Sequence, residues 1–279
     1  MEMVLKDGKK KVLTLSYDDG VVQDIRLIEI MNRFGLKGTF NINTGRYCPE
    51  ETVREKFYGA LKLSEAQTLY PGSGQELAVH TYTHPFLERL SSDEVITEIM
   101  RDRENVEKQY GVIAKGMAYP FGTYNDQVVE ILRQCGIVYS RTTHSTEQFG
   151  LPADWLRLKP TCHHNNPRLM ELAKHFAEEK SSWGGVWMFY LWGHSYEFDN
   201  NDNWDVIEKF AEYIGKRDDI WYATNLEIYN YVKAYEGLQT SVDKKIISNP
   251  SAIDVWVNLG NRLGETNIVK IGAGETRRF

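Results

Sequence analysis

A chain of 279 residues is long enough for one large domain with a sizeable core, and a composition of 42% hydrophobic and 26% charged residues excludes a disordered protein. The formal net charge of -6 offers no electrostatic basis for binding nucleic acid, and no apolar run approaches the length that crosses a membrane. Three widely spaced cysteines, Cys48, Cys135 and Cys162, predict free thiols rather than a disulfide framework.

The N-terminus has no apolar segment of signal-peptide length before the first predicted strand. For the sequence as given we therefore expect a cytoplasmic protein. Nothing in the residue pattern predicts the oligomeric state.

Strands and helices alternate along the first 238 residues. Strands are predicted at 11–18, 38–43, 76–80, 115–119, 137–141, 155–161, 185–192 and 219–223, and helices at 22–34, 64–70, 92–110, 126–135, 166–176, 203–215 and 225–235. This alternation predicts an α/β fold of parallel βαβ units, which close into a barrel or form an open sheet. From Gln239 the helical periodicity ends, so we expect a main domain at 1–238 and a small β-rich appendage at 239–279.

The first strand ends in two adjacent carboxylates, Asp18 and Asp19, which Gly20 follows. Neighbouring side chains on an extended chain point to opposite sides, so the two acids are expected to have different partners. One could hold a metal ion while the other handles a proton. The alternative is that Asp-Asp-Gly is only a polar turn.

The third strand ends near two histidines, His80 and His84. Two neutral imidazoles and one carboxylate can bind a zinc-like ion and leave positions open for water and substrate. A metalloprotease would have a helix with Glu directly after the first His, but here Thr81 follows His80 and Pro85 follows His84. The alternative is a pair of histidines whose hydrogen bonds are satisfied at a strand end.

Four motifs in order resemble those of the polysaccharide deacetylases, the carbohydrate esterase family four with the chitooligosaccharide deacetylase homology domain. Residues 16–20, Ser-Tyr-Asp-Asp-Gly, resemble the family's Thr-Phe-Asp-Asp-Gly, and residues 80–84 resemble its His-(Ser/Thr)-x-x-His. Residues 119–122 resemble the end of Arg-Pro-Pro-Tyr-Gly, and residues 191–194 resemble Leu-x-His with one extra residue. The resemblance covers roughly residues 11 to 235 and implies a distorted (β/α) barrel of about seven units.

The resemblance also implies roles for individual residues. Asp19, His80 and His84 would bind one divalent metal ion, for which Zn²⁺ is expected and Ni²⁺, Co²⁺ or Mn²⁺ are alternatives. Asp18 would be the general base and His194 the general acid, with a backbone N–H near Phe121 stabilising the oxyanion.

Substrate contacts are predicted around the same site. The candidates are Tyr119, Pro120, Phe121, Trp192, His163 and His164. Core packing is an equally good account of Tyr119 and Trp192, and a polar loop is an equally good account of His163 and His164.

The sequence departs from the family pattern at two points. Ala118 stands where the family has an Arg that positions the base, so we expect Arg141, at the next strand end, to supply the guanidinium. The alternative is that Arg141 lies on a solvated loop. The family's Asp that orients the catalytic His has no clear match; Asp154 is a weak candidate, because a turn after Pro152 also explains it.

Together these features predict a metal-dependent hydrolase that removes N- or O-linked acetyl groups from a carbohydrate. One alternative is a deacylase or amidohydrolase of a small non-polysaccharide substrate on the same fold. The other is a catalytically silent sugar-binding protein, which would have no need for the full set of acids and histidines. The residues do not predict which glycan is used or whether the acetyl group is on nitrogen or oxygen.

Overall fold

The structure, a computed structural model, describes residues 1–54, 59–179, 185–260 and 266–279. The helices in this part of the chain are α1 Asp24–Phe34, α2 Leu63–Leu69, α3 Ser92–Tyr110, α4 Asp126–Gln134, α5 Leu169–Glu178, α6 Tyr196–Asn200, α7 Trp204–Ile214 and α8 Asn225–Glu236. The strands are β1 Glu2–Met3, β2 Lys11–Asp18, β3 Gly38–Ile42, β4 Glu76–Val79, β5 Gly116–Ala118, β6 Tyr139–Arg141, β7 Cys162–His163, β8 Trp187–Gly193, β9 Ile220–Tyr222, β10 Gln239–Thr240, β11 Ile246–Ser248, β12 Val255–Asn258, β13 Ile268–Ile271 and β14 Thr276–Arg278.

The main sheet is parallel, in the order β6-β5-β4-β3-β2-β8-β7, with β9 beside the first residues of β2. Every residue of the central strand β2 is buried, as expected when helices cover one face of a sheet and the barrel interior covers the other. The carboxyl ends of these strands lie at the same edge of the sheet, which is where α/β folds build their sites.

The segment that contains β7 connects β8 to β6, the strand at the other end of the sheet. Leu158 pairs in parallel with Arg141 of β6, and Cys162 pairs in parallel with Leu191 of β8. Backbone hydrogen bonds follow this path, from the N–H of Leu158 to the oxygen of Ser140 at 3.0 Å. The predicted distorted (β/α) barrel is therefore confirmed.

The predicted strand at 155–161 is wrong in its first half. Trp155–Arg157 form a 3₁₀ turn, because the side chain of Asp154 caps it by accepting a hydrogen bond from the N–H of Leu156 at 2.9 Å. Such local side-chain bonds compete with strand pairing. In the second half of the predicted strand, Leu158 pairs with β6, and the N–H of Thr161 donates to the oxygen of Tyr190 in β8 at 2.9 Å.

The capping signals that predicted the long helices are confirmed. Ser91 and Glu94 form a capping box at the start of α3, and Thr224 and Glu227 form one at the start of α8. Gly35 ends α1 in the left-handed conformation. The sequence did not predict α6, which is only five residues long.

The C-terminal residues form two small antiparallel sheets, β1-β12-β13 and β10-β11-β14. The N-terminal strand β1 belongs to the first of them, which the sequence did not predict. The hydroxyl of Tyr231 in α8 donates to the oxygen of Val4 and accepts from the N–H of Trp256, so the appendage is bonded to the barrel. The division at residue 238 stays a prediction, and residues 261–265 of the predicted appendage lie outside the described residues.

Two predictions about the whole chain concern thiols and membranes. Cys48, Cys135 and Cys162 are free thiols, as predicted, and all three are buried. Among the helices of the described residues, none combines the length and the apolar character that a bilayer span requires.

Candidate active site

The three predicted metal ligands converge at the carboxyl edge of the sheet. Asp19 follows β2, and His80 and His84 follow β4. The Oδ1 atom of Asp19 lies 3.8 Å from the Nε2 atom of His80 and 3.8 Å from that of His84. The three donor atoms lie within 4.8 Å of one another, a separation that one metal ion can bridge.

The chemistry of these donors fits a divalent cation. Asp19 Oδ1 is buried without a hydrogen-bond partner. The Nδ1 atom of His80 is 2.7 Å from the oxygen of Ala118, which keeps the ring proton on Nδ1 and the lone pair of Nε2 on the side of Asp19. Burial and the neighbouring His80 lower the pKa of His84 to about 4, so this imidazole is neutral at physiological pH, as a metal ligand must be.

The backbone is strained around the same point. Asp19, Thr81, His84 and Phe121 all have positive φ angles, of 80°, 68°, 63° and 59°. Non-glycine residues in this region persist only where surrounding contacts hold them, and they are concentrated at functional sites.

Buried polar side chains hold the strained loop after β4. The amide of Asn43 donates to the oxygens of His80 and Thr81 at 2.6 and 2.8 Å. The carboxylate of Asp102 in α3 accepts from the N–H of His80 at 3.0 Å and from the N–H and hydroxyl of Thr44 at 2.8 and 2.7 Å. The direction of His80 is therefore set by a helix and a strand end as well as by its own loop.

Asp18 and Asp19 share His80 as a neighbour, since Oδ2 of Asp18 also lies 3.8 Å from its Nε2, but Asp18 has further partners of its own. Its Oδ1 accepts from the amide of Asn41 at 2.9 Å, and its Oδ2 is paired with the guanidinium of Arg141. Burial would raise the pKa of Asp18, but Arg141, His80 and His194 outweigh burial and lower this pKa to about 2. The carboxylate is therefore ionised at working pH.

Arg141 ends β6 and is completely buried. Its guanidinium lies 4.5 Å from the centre of the Trp192 ring, so the cation is held between an aromatic face and Asp18. The alternative of a solvated loop is wrong. The structure brings Arg141 against the expected carboxylate, although its part in a reaction stays a proposal.

His194 follows β8 and also lies close to Asp18. Its Nε2 is 3.8 Å from Asp18 Oδ2, and its Nδ1 is 2.9 Å from Oε1 of Glu197. Sequence reasoning did not single out Glu197; the signal was its spacing three residues after His194, which brings side chains together once a helical turn forms. Asp154 caps its own turn and pairs with Arg157, so its prediction as the acid that orients His194 is wrong.

His163 and His164 form a second group of potential ligands together with Glu197. Their Nε2 atoms lie 3.2 and 3.0 Å from Oε2 of Glu197. The Nδ1 of His163 accepts from the N–H of Asn165 at 3.1 Å, so the proton of the neutral ring is on Nε2 and faces the carboxylate. This tautomer favours a hydrogen-bonded cluster over a metal site.

The residues predicted to contact the substrate differ in how far they are exposed to solvent. Tyr119 is buried and donates its hydroxyl proton to the oxygen of Leu156 at 2.8 Å, and Pro120 and His164 are also buried, so the contact of these three residues with a substrate stays a prediction. Trp192 is only 8% exposed. Phe121 is 49% exposed and its ring centre lies 4.5 Å from that of His84, so this side chain offers an apolar surface beside the potential metal ligands.

The polysaccharide deacetylase family profile matches residues 5–140. These residues belong to the polysaccharide deacetylase family. Chitin deacetylase 1 from Cryptococcus neoformans is 28% identical over 129 residues, which are 46% of this chain and 25% of that relative. Peptidoglycan-N-acetylmuramic acid deacetylase PdaC from Bacillus subtilis is 27% identical over 126 residues, which are 44% of this chain and 24% of that relative. The chain thus spans about a quarter of the length of these relatives.

Solved structures of the deacetylase family share the fold. A Mycobacterium smegmatis protein assigned to the polysaccharide deacetylases has a TM-score of 0.61 at 17% identity, covering 85% of this chain and 95% of that one. The Xyl-CE4 domain of a multidomain xylanase from the hindgut metagenome of Trinervitermes trinervoides has a TM-score of 0.52 at 18% identity, covering 81% and 92%. At such identities the likeness establishes the fold and not the activity.

The deacetylase match contains only part of the candidate site. Asp18, Asp19, His80 and His84 lie inside residues 5–140, whereas Arg141 and His194 lie beyond them. The assignment of Arg141 and His194 to the site therefore depends on their distances from Asp18 and not on the family match.

Proposed function

We propose that this chain is a metal-dependent hydrolase that removes acetyl groups from a carbohydrate. The observation that carries the proposal is the convergence of a cation-binding trio, Asp19, His80 and His84, beside a separately held carboxylate, Asp18. A site that only bound sugar would have no use for an ionised, buried carboxylate next to potential metal ligands. The family of residues 5–140 supports the same conclusion.

The trio Asp19, His80 and His84 would hold one divalent ion. We expect zinc, with nickel, cobalt or manganese as alternatives, since a site of two imidazoles and one carboxylate accepts each of them. Bound there, the ion would polarise the acetyl carbonyl and lower the pKa of a water molecule.

Asp18 is the proposed general base. It accepts the proton of the attacking water, and Arg141 and Asn41 keep its carboxylate ionised and fixed in direction. The backbone N–H near Phe121 donates to the oxygen of the acetyl group as negative charge develops on it.

His194 is the proposed general acid. Burial opposes its charge, but the hydrogen bond to Glu197 and the nearby Asp18 and Asp19 raise its pKa above the ordinary value of 6.5. The imidazolium at Nε2 can therefore donate a proton to the leaving nitrogen or oxygen of the sugar near neutral pH.

An acetylated carbohydrate is the proposed substrate. Two relatives that match part of this chain are named for the deacetylation of chitin and of peptidoglycan, both of which are polymers of acetylated sugars. The exposed ring of Phe121, whose centre lies 3.8 Å from that of Phe86, provides a rigid aromatic face against which the apolar face of a sugar ring can pack.

The test is acetate release from acetylated chitooligosaccharides, acetylated xylan and small acetylated amides. We expect the wild-type protein to release acetate from at least one of the two carbohydrates, and Asp18→Asn to lower kcat by about 100-fold or more. Asp205→Asn, which alters an exposed carboxylate on α7, is the matched control and should retain full activity. Release from the small amides alone would overturn the carbohydrate assignment, and full activity of Asp18→Asn would overturn the role of the base.

A further inference from the structure

We propose that Glu197 is the positioning residue that fixes His194 as a proton donor, and that His163, His164 and Asn165 hold Glu197 in place for this purpose. The role rests on the proposed function, in which His194 protonates the leaving group. It assigns His163 and His164 to the support of the site rather than to substrate or metal.

The contacts of the two ring nitrogens of His194 determine which of them carries the exchangeable proton. Nδ1 of His194 lies 2.9 Å from Oε1 of Glu197, whereas Nε2 lies 3.8 Å from Oδ2 of Asp18. An imidazole whose Nδ1–H donates to a carboxylate keeps that proton, so Nε2 is the atom that gains and loses one. Glu197 thus directs the acidic proton of His194 to the side of Asp18.

Oε2, the other oxygen of the Glu197 carboxylate, has its own set of contacts. The amide of Asn165 donates to Oε2 of Glu197 at 3.0 Å, and the protonated Nε2 of His163 lies 3.2 Å from it. The Nε2 of the fully buried His164 lies 3.0 Å from Oε2, without an aligned hydrogen bond. Oε1 of Glu197 therefore contacts His194, while Oε2 contacts His163, His164 and Asn165, so a rotation of the carboxylate would break contacts on both sides.

The charge of Glu197 also acts on His194. Burial would raise the pKa of Glu197, but the contacts with His163, His164 and His194 outweigh it and hold the pKa well below the ordinary range. Burial lowers the pKa of His164 to about 4, so this ring is neutral and does not neutralise the carboxylate. The negative charge of Glu197 is therefore available to stabilise the imidazolium of His194.

Other titratable groups also face His194. Asp18 and Asp19 of the strand β2 and its following turn raise the pKa of His194 in the same direction as Glu197. The ring of Tyr196 in α6 lies 5.1 Å from that of His194, and the ring of His163 lies 6.4 Å from it. Among these groups, only Glu197 contacts Nδ1, so its removal changes both the tautomer and the charge balance.

The short segment around His194 is held at each neighbouring position. The hydroxyl of Ser195 donates to the buried carboxylate of Asp24 at 2.5 Å. The backbone of Gly193 lies directly against the His164 ring, since a Cβ at Gly193 would be 2.0 Å from Nδ1. Gly193 and Ser195, the two neighbours of His194 in the chain, are therefore both fixed by contacts with buried residues.

The test uses Glu197→Gln, which keeps the shape and removes the charge, in the metal-loaded protein. NMR titration of isotopically labelled histidines should show the pKa of His194 lowered. In acetate release, kcat should fall about 100-fold with KM and metal content unchanged, and the high-pH limb of the rate profile should move to lower pH. Glu197→Asp, which keeps the charge on a shorter side chain, should recover part of both effects.

The matched control is Glu179→Gln, because Glu179 pairs with His175 at 3.7 Å on an exposed helix surface. It should leave the titration of His194 and kcat unchanged. An unchanged His194 titration in Glu197→Gln, or equal losses of kcat and metal, would overturn the proposal. If the wild-type protein releases no acetate from any substrate, the proposed function fails, while the titration still determines whether Glu197 controls the protonation of His194.

Discussion

At the scale of single residues, the ion pair between Asp18 and Arg141 joins two fully buried charges of the site. Removing one partner of a buried pair leaves an uncompensated charge, which costs about 3–5 kcal/mol. We therefore expect Arg141→Ala to lower the free energy of unfolding in urea by about that amount, and to lower kcat because the base is no longer held. Arg133→Ala, which removes an exposed pair with Glu130, should change stability by only about 0–1 kcal/mol. Equal effects of the two substitutions, or unchanged turnover of Arg141→Ala, would contradict this account.

Some residues of the site could be predicted from the sequence and others could not. Asp18 and His80 lie in motifs, and Arg141 lies at a strand end. Their positions in the chain were therefore enough to predict that they lie at the carboxyl edge of the sheet. Glu197 was not predicted, because its spacing three residues after His194 is informative only where a helical turn forms, and the five-residue α6 is too short to be predicted from periodicity. The burial of Tyr119 depends on tertiary packing against Leu156, which no local pattern encodes.

At the scale of elements, the accuracy of prediction followed the strength of the local signal. The helices α3 and α8 begin at capping boxes and were predicted well. The segment around Asp154 was not, because a side-chain hydrogen bond to the N–H of Leu156 made a turn where β-forming residues favoured a strand.

The end of β8 provides a prediction at the same scale. A Cβ at Gly193 would be 2.0 Å from Nδ1 of His164, so Gly193→Ala must displace the buried ring and should lower the free energy of unfolding by about 1–3 kcal/mol. Gly150→Ala is the matched control, because nothing lies within 4 Å of a Cβ there. Denaturant unfolding of both variants measures the difference. A stability of Gly193→Ala equal to that of Gly150→Ala would show that the ring of His164 is not held against this strand.

At the scale of the whole molecule, a closed barrel and an open sheet could not be distinguished by periodicity, since both are built from the same βαβ units. The closure depends on pairings of Leu158 and Cys162, which are short and have no pattern of their own. The contribution of β1 to the C-terminal sheet was missed for the same reason, because two residues are too few to predict a strand.

The pH dependence of stability should include a contribution from the buried Asp24. Burial raises its pKa from the ordinary 3.8 to about 7, although hydrogen bonds from Ser195 and Tyr70 oppose the shift. Between these two values the folded state keeps a proton that the unfolded state releases, so this contribution is complete below about pH 4 and is lost as the pH rises to about 7. Relative to Asp24→Asn, the wild-type protein should lose up to about 1.4 kcal/mol of unfolding free energy per pH unit. Parallel stability curves for the two proteins would contradict the shift.

The central claim, that Asp19, His80 and His84 form a metal site at which Asp18 acts as a separate base, is tested most directly by counting metal ions in purified variants. We expect about one divalent ion per chain in the wild-type protein and in Asp18→Asn, and far less in His84→Ala, because only the last substitution removes a ligand. Acetate release, measured on the same samples, should be lost in both variants. A metal content unchanged by His84→Ala, or no metal in the wild-type protein after reconstitution, would contradict the account.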